Sequence, residues 1–330
     1  MNATPSSPLH VTTTASDRPS PDRTQPQADA TTRVPAAGER ALVLGGGGST
    51  GNAWLIGVIA GLCDAGLDVT GADLIIGTSA GSTAAAQITG ARPADLLAAT
   101  LAAAPLRRTG PAGPDSGRPP SGPAVNHLER TSRIIAAAAD AADLRRRMGA
   151  AALELAAASD GSASPRWRAT VAARLPSQDW PQRSVLIAAV DARTGEPVVF
   201  DRHSGVDLVD AVAASCSSGV AYAIGDGRYI DGGYRRGAEN ADLAAGHERV
   251  LVLSPFGGRA RTPSEWGMNL AAQVDELHAG GSRVETVVPD SSSGHLFGAH
   301  AMDLSLRPAA ARAGYDQGSA LAGRLTGFWR

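Results

Sequence analysis

Two apolar runs that each break into glycine constrain this chain more than any other feature. Ala41-Leu42-Val43-Leu44 leads into Gly45-Gly46-Gly47-Gly48-Ser49-Thr50-Gly51, and Leu74-Ile75-Ile76 leads into Gly77-Thr78-Ser79-Ala80-Gly81. Each run has the length and branching of a buried strand, and each is followed by a helix-like pattern. Residues 53–65 between them are apolar nearly all round, which predicts a buried helix stopped by Gly66. Two such strands joined by one helix make a βαβ unit with parallel strands and a right-handed crossover. Both glycine turns then lie at the carboxyl edge of one sheet, where α/β proteins bind ligands.

Gly77-Thr78-Ser79-Ala80-Gly81 has the form G-x-S-x-G, a sharp strand-to-helix turn that lifts a serine oxygen out of the sheet. Gly77 and Gly81 are needed because a side chain at either would collide with the neighbouring strand or helix. A serine nucleophile also needs donors for the oxyanion that it creates, and the first turn can offer glycine N–H groups. The implied chemistry is acyl transfer through Ser79.

Before residue 39 the chain is Ser, Thr, Pro, Asp and Gln with hardly a large apolar side chain, so 1–38 is expected to be a disordered tail. The 330-residue length suits one α/β domain over 39–330 in addition to that tail. Within it, about 104–183 reads as a variable helical and loop insertion. A helix is expected over 93–104, a Pro- and Gly-dense loop over 109–123, and helix over 126–158 with Arg145-Arg146-Arg147 on a solvated face. Strands follow at 184–190, 197–200, 249–253 and 283–288, and helices at 207–215 and 308–325. Residues 222–230 read as a hairpin around Asp226-Gly227. Thr262-Pro263-Ser264-Glu265 has the form of a capping box opening a helix to about residue 279. After the hairpin comes Asp231-Gly232-Gly233.

The glycine turn Gly46-Gly47-Gly48-Ser49-Thr50-Gly51, the serine turn and Asp231-Gly232-Gly233, in that order, resemble the patatin-like phospholipase family. The resemblance implies a three-layer α/β/α fold with a mainly parallel central sheet. It also implies a Ser–Asp dyad in which Ser79 attacks an ester carbonyl and Asp231 is the general base. Gly46, Gly47 and Gly48 would hold the oxyanion, with Gly51, Gly77, Gly81, Gly232 and Gly233 supporting the motifs. The expected substrate is a lipid or other acyl ester, with transient contact at a membrane surface and no metal or organic cofactor. One departure is plain: many relatives carry a basic residue just before the last glycine of the first motif, and this chain has Thr50. The motifs do not encode the headgroup, the acyl chain or the oligomeric state.

Two other readings compete. In an α/β-hydrolase, His295 after the last strand would complete a Ser79–Asp–His295 triad, and the chain order fits. That fold, however, takes its oxyanion donor from a loop well separated from the nucleophile strand. The other reading treats Gly45 to Gly51 as a nucleotide-binding turn. It needs an acidic residue ending the second strand, and that strand ends Ile75-Ile76-Gly77.

A net charge of −2 excludes a general nucleic-acid binder, although every basic residue is arginine. Cys63 and Cys216 read as free thiols. No apolar run is long enough to span a membrane, and no charged start precedes an apolar signal core, so a cytoplasmic location is expected.

Overall fold

The computed structural model describes residues 38–102 and 123–330, so all but the last residue of the expected 1–38 tail and most of the 109–123 loop lie outside it, and Gly38 itself opens the first strand. The first βαβ unit forms where the pattern places it: β1 (Gly38–Leu44), α1 (Gly48–Asp64) and β2 (Leu74–Gly77). Its strands are parallel in register Ala41↔Leu74 to Leu44↔Gly77. There follow α2 (Ala80–Gly90), α3 (Pro93–Ala102), α4 (Pro123–Ala137), α5 (Ala141–Ala157) and α6 (Ala163–Ala172). The helix expected over 126–158 is therefore two, because Asp140 leaves helical geometry and its side chain accepts from the Asp143 N–H to cap α5.

The second half runs β3 (Ser184–Asp191), β4 (Pro197–Phe200), α7 (Leu208–Ser215), β5 (Tyr222–Ile224), β6 (Gly227–Asp231), α8 (Gly233–Arg236), β7 (His247–Leu253), α9 (Leu270–Ala279), β8 (Arg283–Val287) and α10 (Arg307–Trp329). The hairpin turn is one residue earlier than expected. Ile224 pairs with Gly227, leaving Gly225-Asp226 as a two-residue turn with the positive φ, 54°, on Gly225. Residues 264–266 form only a 3-10 turn, ended by Gly267 at φ 64°. α9 starts afresh with Asn269, whose side chain accepts from the Ala272 N–H. The capping box was a local signal that a left-handed glycine overrode. Arg145 departs from a solvated face as well: its Nε donates to Gly195 O at 2.8 Å and its Nη1 to Arg235 O at 3.2 Å.

The described strands form one eight-stranded sheet in the order β5-β6-β3-β2-β1-β7-β8, with β4 also on β3. β3, β2, β1, β7 and β8 are parallel, and the β4, β5 and β6 pairings are antiparallel. Alternate residues of the central strands feed two cores. Leu42, Leu44, Ile75, Leu251 and Leu253 join the layer holding α1, α2, α7 and α10, while Ala41, Val43, Ile76, Val250 and Val252 join that of α9. This is the three-layer α/β/α architecture, mainly parallel, that the sequence suggests.

With aromatics at only 4% and 39 glycines, the first layer closes by backbone approach. α1 and α10 interlock through glycines. A Cβ on Gly57 would lie 2.1 Å from Ala311 O, and one on Gly314 would lie 2.4 Å from Trp54 O. Gly57→Val therefore cannot be absorbed by a rotamer change, and the helices must separate. We expect a loss on the order of 3 kcal/mol in urea unfolding. An unchanged midpoint would contradict this packing.

Candidate active site

Ser79 sits where β2 turns into α2, at φ 50° and ψ −115°, a positive-φ backbone usually left to glycine. Such a conformer costs about 1–3 kcal/mol and persists only where its surroundings enforce it. Here the Thr78 N–H donates to Leu44 O at 3.1 Å, and the Ser82 and Thr83 N–H groups donate to Ser79 O at 3.0 and 3.2 Å. The Ser82 hydroxyl donates to the same carbonyl at 2.6 Å. Space enforces the turn equally. A Cβ on Gly81 would lie 1.8 Å from Leu44 O, and one on Gly77 would lie 2.6 Å from Ser82 Cα.

Asp231 ends β6, and sheet register brings it to the serine. Gly77 is opposite Ile187 on β3 and Asp231 is opposite Ala189, so both leave the sheet at nearly the same level of one strand. Gly232 allows the turn, since a Cβ there would lie 2.1 Å from Ala188 O. The Gly233 N–H donates to Asp231 Oδ1 at 2.8 Å. The Asp231 side chain is buried at 8% exposure. Burial raises its pKa from 3.8 to about 6, against a smaller downward pull from the Gly233 N–H and from a hydrogen bond with the Ser79 hydroxyl. The two side chains therefore meet, and the carboxyl is poised near neutrality.

Two braces escaped the sequence reading. The end of α7 ties both corners together: Ser79 N–H donates to Ser215 Oγ at 2.9 Å, Asp231 N–H to Ser217 O at 2.9 Å, and Gly232 N–H to Ser215 O at 3.2 Å. Cys216 between them donates its thiol to Ser79 O at 3.1 Å, and burial pushes that thiol up to about 11, so it is inert near neutrality. Asn240 is the second brace. It is fully buried at φ 52°, and its Nδ2 donates to Thr78 Oγ1 at 3.0 Å and to Gly232 O at 2.9 Å. The one sequence signal was an Asn shortly after the Asp-Gly-Gly, in a residue type that tolerates this backbone.

The glycine turn lies over the serine: a Cβ on Gly46 would be 3.5 Å from Ser79 Cβ. The expected donor set needs correction at that residue, because the Gly46 N–H is already donated to Ala238 O at 2.8 Å. Among the described residues, the N–H groups of Gly47 and Gly48 meet no acceptor, and neither does that of Ala80 beside the serine. Gly48 needs its glycine, with φ at 64° and Ala301 O 2.7 Å from a would-be Cβ. Gly51 closes the turn by donating its N–H to Gly47 O at 3.0 Å. Thr50 leaves the turn uncharged, yet a cation reaches it from α10: Arg307 Nη1 donates to Ser49 O at 2.8 Å and Nη2 to Asn52 Oδ1 at 3.2 Å.

His295 is exposed, with Nδ1 3.1 Å from Ser292 O, and His300 is exposed too. Among the described residues no imidazole hydrogen-bonds Ser79 or Asp231, and no group of three His, Cys, Asp or Glu is placed to hold a metal ion. No described helix is long and apolar enough to cross a membrane.

The family model for patatin-like phospholipases matches residues 42–242, more than half of the chain, and encloses the glycine turn, Ser79 and Asp231. No curated protein matches. Among solved structures, the crystal structure of VipD from Legionella pneumophila aligns over 88% of this chain and 67% of that one, at 14% identity and a TM-score of 0.37.

Proposed function

The chain belongs to the patatin-like phospholipase family, and from that premise we propose that it hydrolyses lipid carboxylic esters with Ser79 as nucleophile and Asp231 as general base. Ser79 Oγ attacks the ester carbonyl carbon while Asp231 takes its proton. The N–H groups of Gly47, Gly48 and Ala80 receive the oxyanion. The intermediate then collapses, the alcohol leaves with the proton held by Asp231, and an acyl-Ser79 ester remains. Water enters, gives a proton to Asp231 and attacks the acyl carbon. Release of the fatty acid returns the proton to Ser79. A water-insoluble substrate brings the protein transiently to a lipid surface.

The observation that carries this reading is the contact between a serine held at positive φ and a buried carboxyl titrating near 6. An ordinary aspartate, with a pKa of about 4, would be a feeble base at neutrality, and burial removes much of that handicap. The base must be ionised to act. Hydrolysis, followed as fatty acid release, is therefore expected to rise with pH through about 6 and level off above it. A flat profile there would remove Asp231 as the base. An inflection nearer 7 that disappears in His295→Ala would hand the proton to an imidazole.

A further inference from the structure

The three N–H groups assigned to the oxyanion come from two corners, Gly47 and Gly48 at the start of α1 and Ala80 at the start of α2. They can serve one oxygen only if the two helix starts keep a fixed spacing, because a misplacement of about 1 Å can cost on the order of a hundredfold in rate. A run of side-chain hydrogen bonds spans that gap. Asn52, on α1 and 6% exposed, donates through Nδ2 to Ala80 O at 3.4 Å and to Gln87 Oε1 of α2 at 2.9 Å. Its Oδ1 accepts from Nη1 and Nη2 of Arg307, at 3.3 and 3.2 Å. Arg307 opens α10, and its Nη1 also donates to Ser49 O at 2.8 Å.

The peptide joining Ser49 to Thr50 is thus held from both sides. Arg307 takes its carbonyl, and its N–H, that of Thr50, donates to Ala301 O at 3.0 Å. Ala301 O also crowds Gly48, lying 2.7 Å from where a Cβ would be. One stretch, from Ala301 to Arg307, therefore fixes the backbone just after Gly48 and, through Asn52, ties it to Ala80. That stretch lies outside the residues that the family model matches.

The charge of Arg307 is unfavourable where it stands unless an anion forms nearby. A helix N-terminus is the positive end of its dipole, and burial together with the charge of Arg174 weighs against an ionised Arg307. An oxyanion received by the Gly47 and Gly48 N–H groups would relieve that cost at the moment of reaction. We propose that Arg307 is a positioning residue for ester hydrolysis: through Ser49 and Asn52 it holds the two halves of the oxyanion hole in register. This rests on the ester-hydrolase reading and adds to it a residue from the C-terminal helix.

The test uses p-nitrophenyl butyrate and an aliphatic trifluoromethyl ketone on the wild type, Arg307→Gln, Arg307→Lys, Asn52→Ala and the Arg307→Gln/Asn52→Ala double variant. The ketone carbon bonds to Ser79 Oγ, the serine proton passes to Asp231 and the ketone oxygen becomes an oxyanion, so its Ki reads the hole directly. Arg307→Gln is expected to lower kcat by about 30-fold, less than the roughly 10^2- to 10^3-fold of deleting a donor outright. Ki should rise by a like factor, with KM unchanged. Arg307→Lys should lie between, since it keeps the charge without the planar fork that reaches Ser49 and Asn52 together. Asn52→Ala should match Arg307→Gln, and the double variant should add little, because both remove one connection. An unchanged kcat, a kcat that falls with Ki unmoved, a change confined to KM, or full additivity in the double variant overturns the assignment and leaves the hydrolase reading standing. If Arg307→Gln does not fold, Arg307→Lys carries the same comparison of kcat with Ki. A wild type that neither cleaves the ester nor binds the ketone overturns the hydrolase reading, and the role of Arg307 with it.

Discussion

Ser79→Ala is expected to lower ester hydrolysis by about 10^6-fold, the scale on which removing a serine nucleophile acts elsewhere, with what remains due to binding and the oxyanion donors. His295→Ala, at an exposed histidine with only a local contact, leaves the rate near that of the wild type. The backbone supplies a second readout. Ser79 holds φ 50° through bonds made by its neighbours and by its own N–H, none of which involves its hydroxyl. Alanine inherits that strained conformer, whereas glycine adopts it freely. Ser79→Gly is therefore expected to be more stable than Ser79→Ala by about 1 kcal/mol in urea unfolding, with both inactive. Equal stabilities would mean that the corner is relaxed, and a substantial rate in either variant would place the nucleophile elsewhere.

The two corners on which the proposed chemistry rests were legible because their signals are local. A strand that breaks into glycine, and a serine between two glycines, declare a turn whatever lies around them, and the collisions that a Cβ would meet at Gly77 and Gly81 bear that out. What holds the corners in register was not legible. Ser215 and Asn240 act on residues 136 and 162 positions away, and only the sheet order brings them there. The engagement of the Gly46 N–H was hidden for the same reason, since its acceptor, Ala238, belongs to the segment after Asp231. Misplaced boundaries have a nearer cause. Asp140 ends one helix and opens the next inside a uniformly helical composition, and Gly267 cancels a capping signal by going left-handed.

Asp231→Asn is expected to move activity and stability in opposite directions. Hydrolysis falls by about 10^4-fold, because the amide can accept the Gly233 N–H but cannot take a proton from Ser79. Stability responds through the proton itself. The folded state holds the Asp231 proton up to about pH 6, while the unfolded chain releases it near 3.8. Between those values the folded state binds more protons, so the wild type loses stability as pH rises through that window and remains lower above it. The displacement corresponds to about 3 kcal/mol. Asparagine carries no such charge, so the stability difference, variant minus wild type, should grow by about 2.4 kcal/mol between about pH 4 and about pH 8. Taking the change with pH cancels whatever the amide costs in itself. It cancels the titration of Glu239 as well, a second carboxyl raised by burial and present in both proteins. A difference that stays constant over this range would mean that Asp231 is not buried as a charge, and the base would lose the property that fits it to the reaction. Growth of the difference together with loss of hydrolysis would tie the cost of burying that carboxylate to its work on the serine.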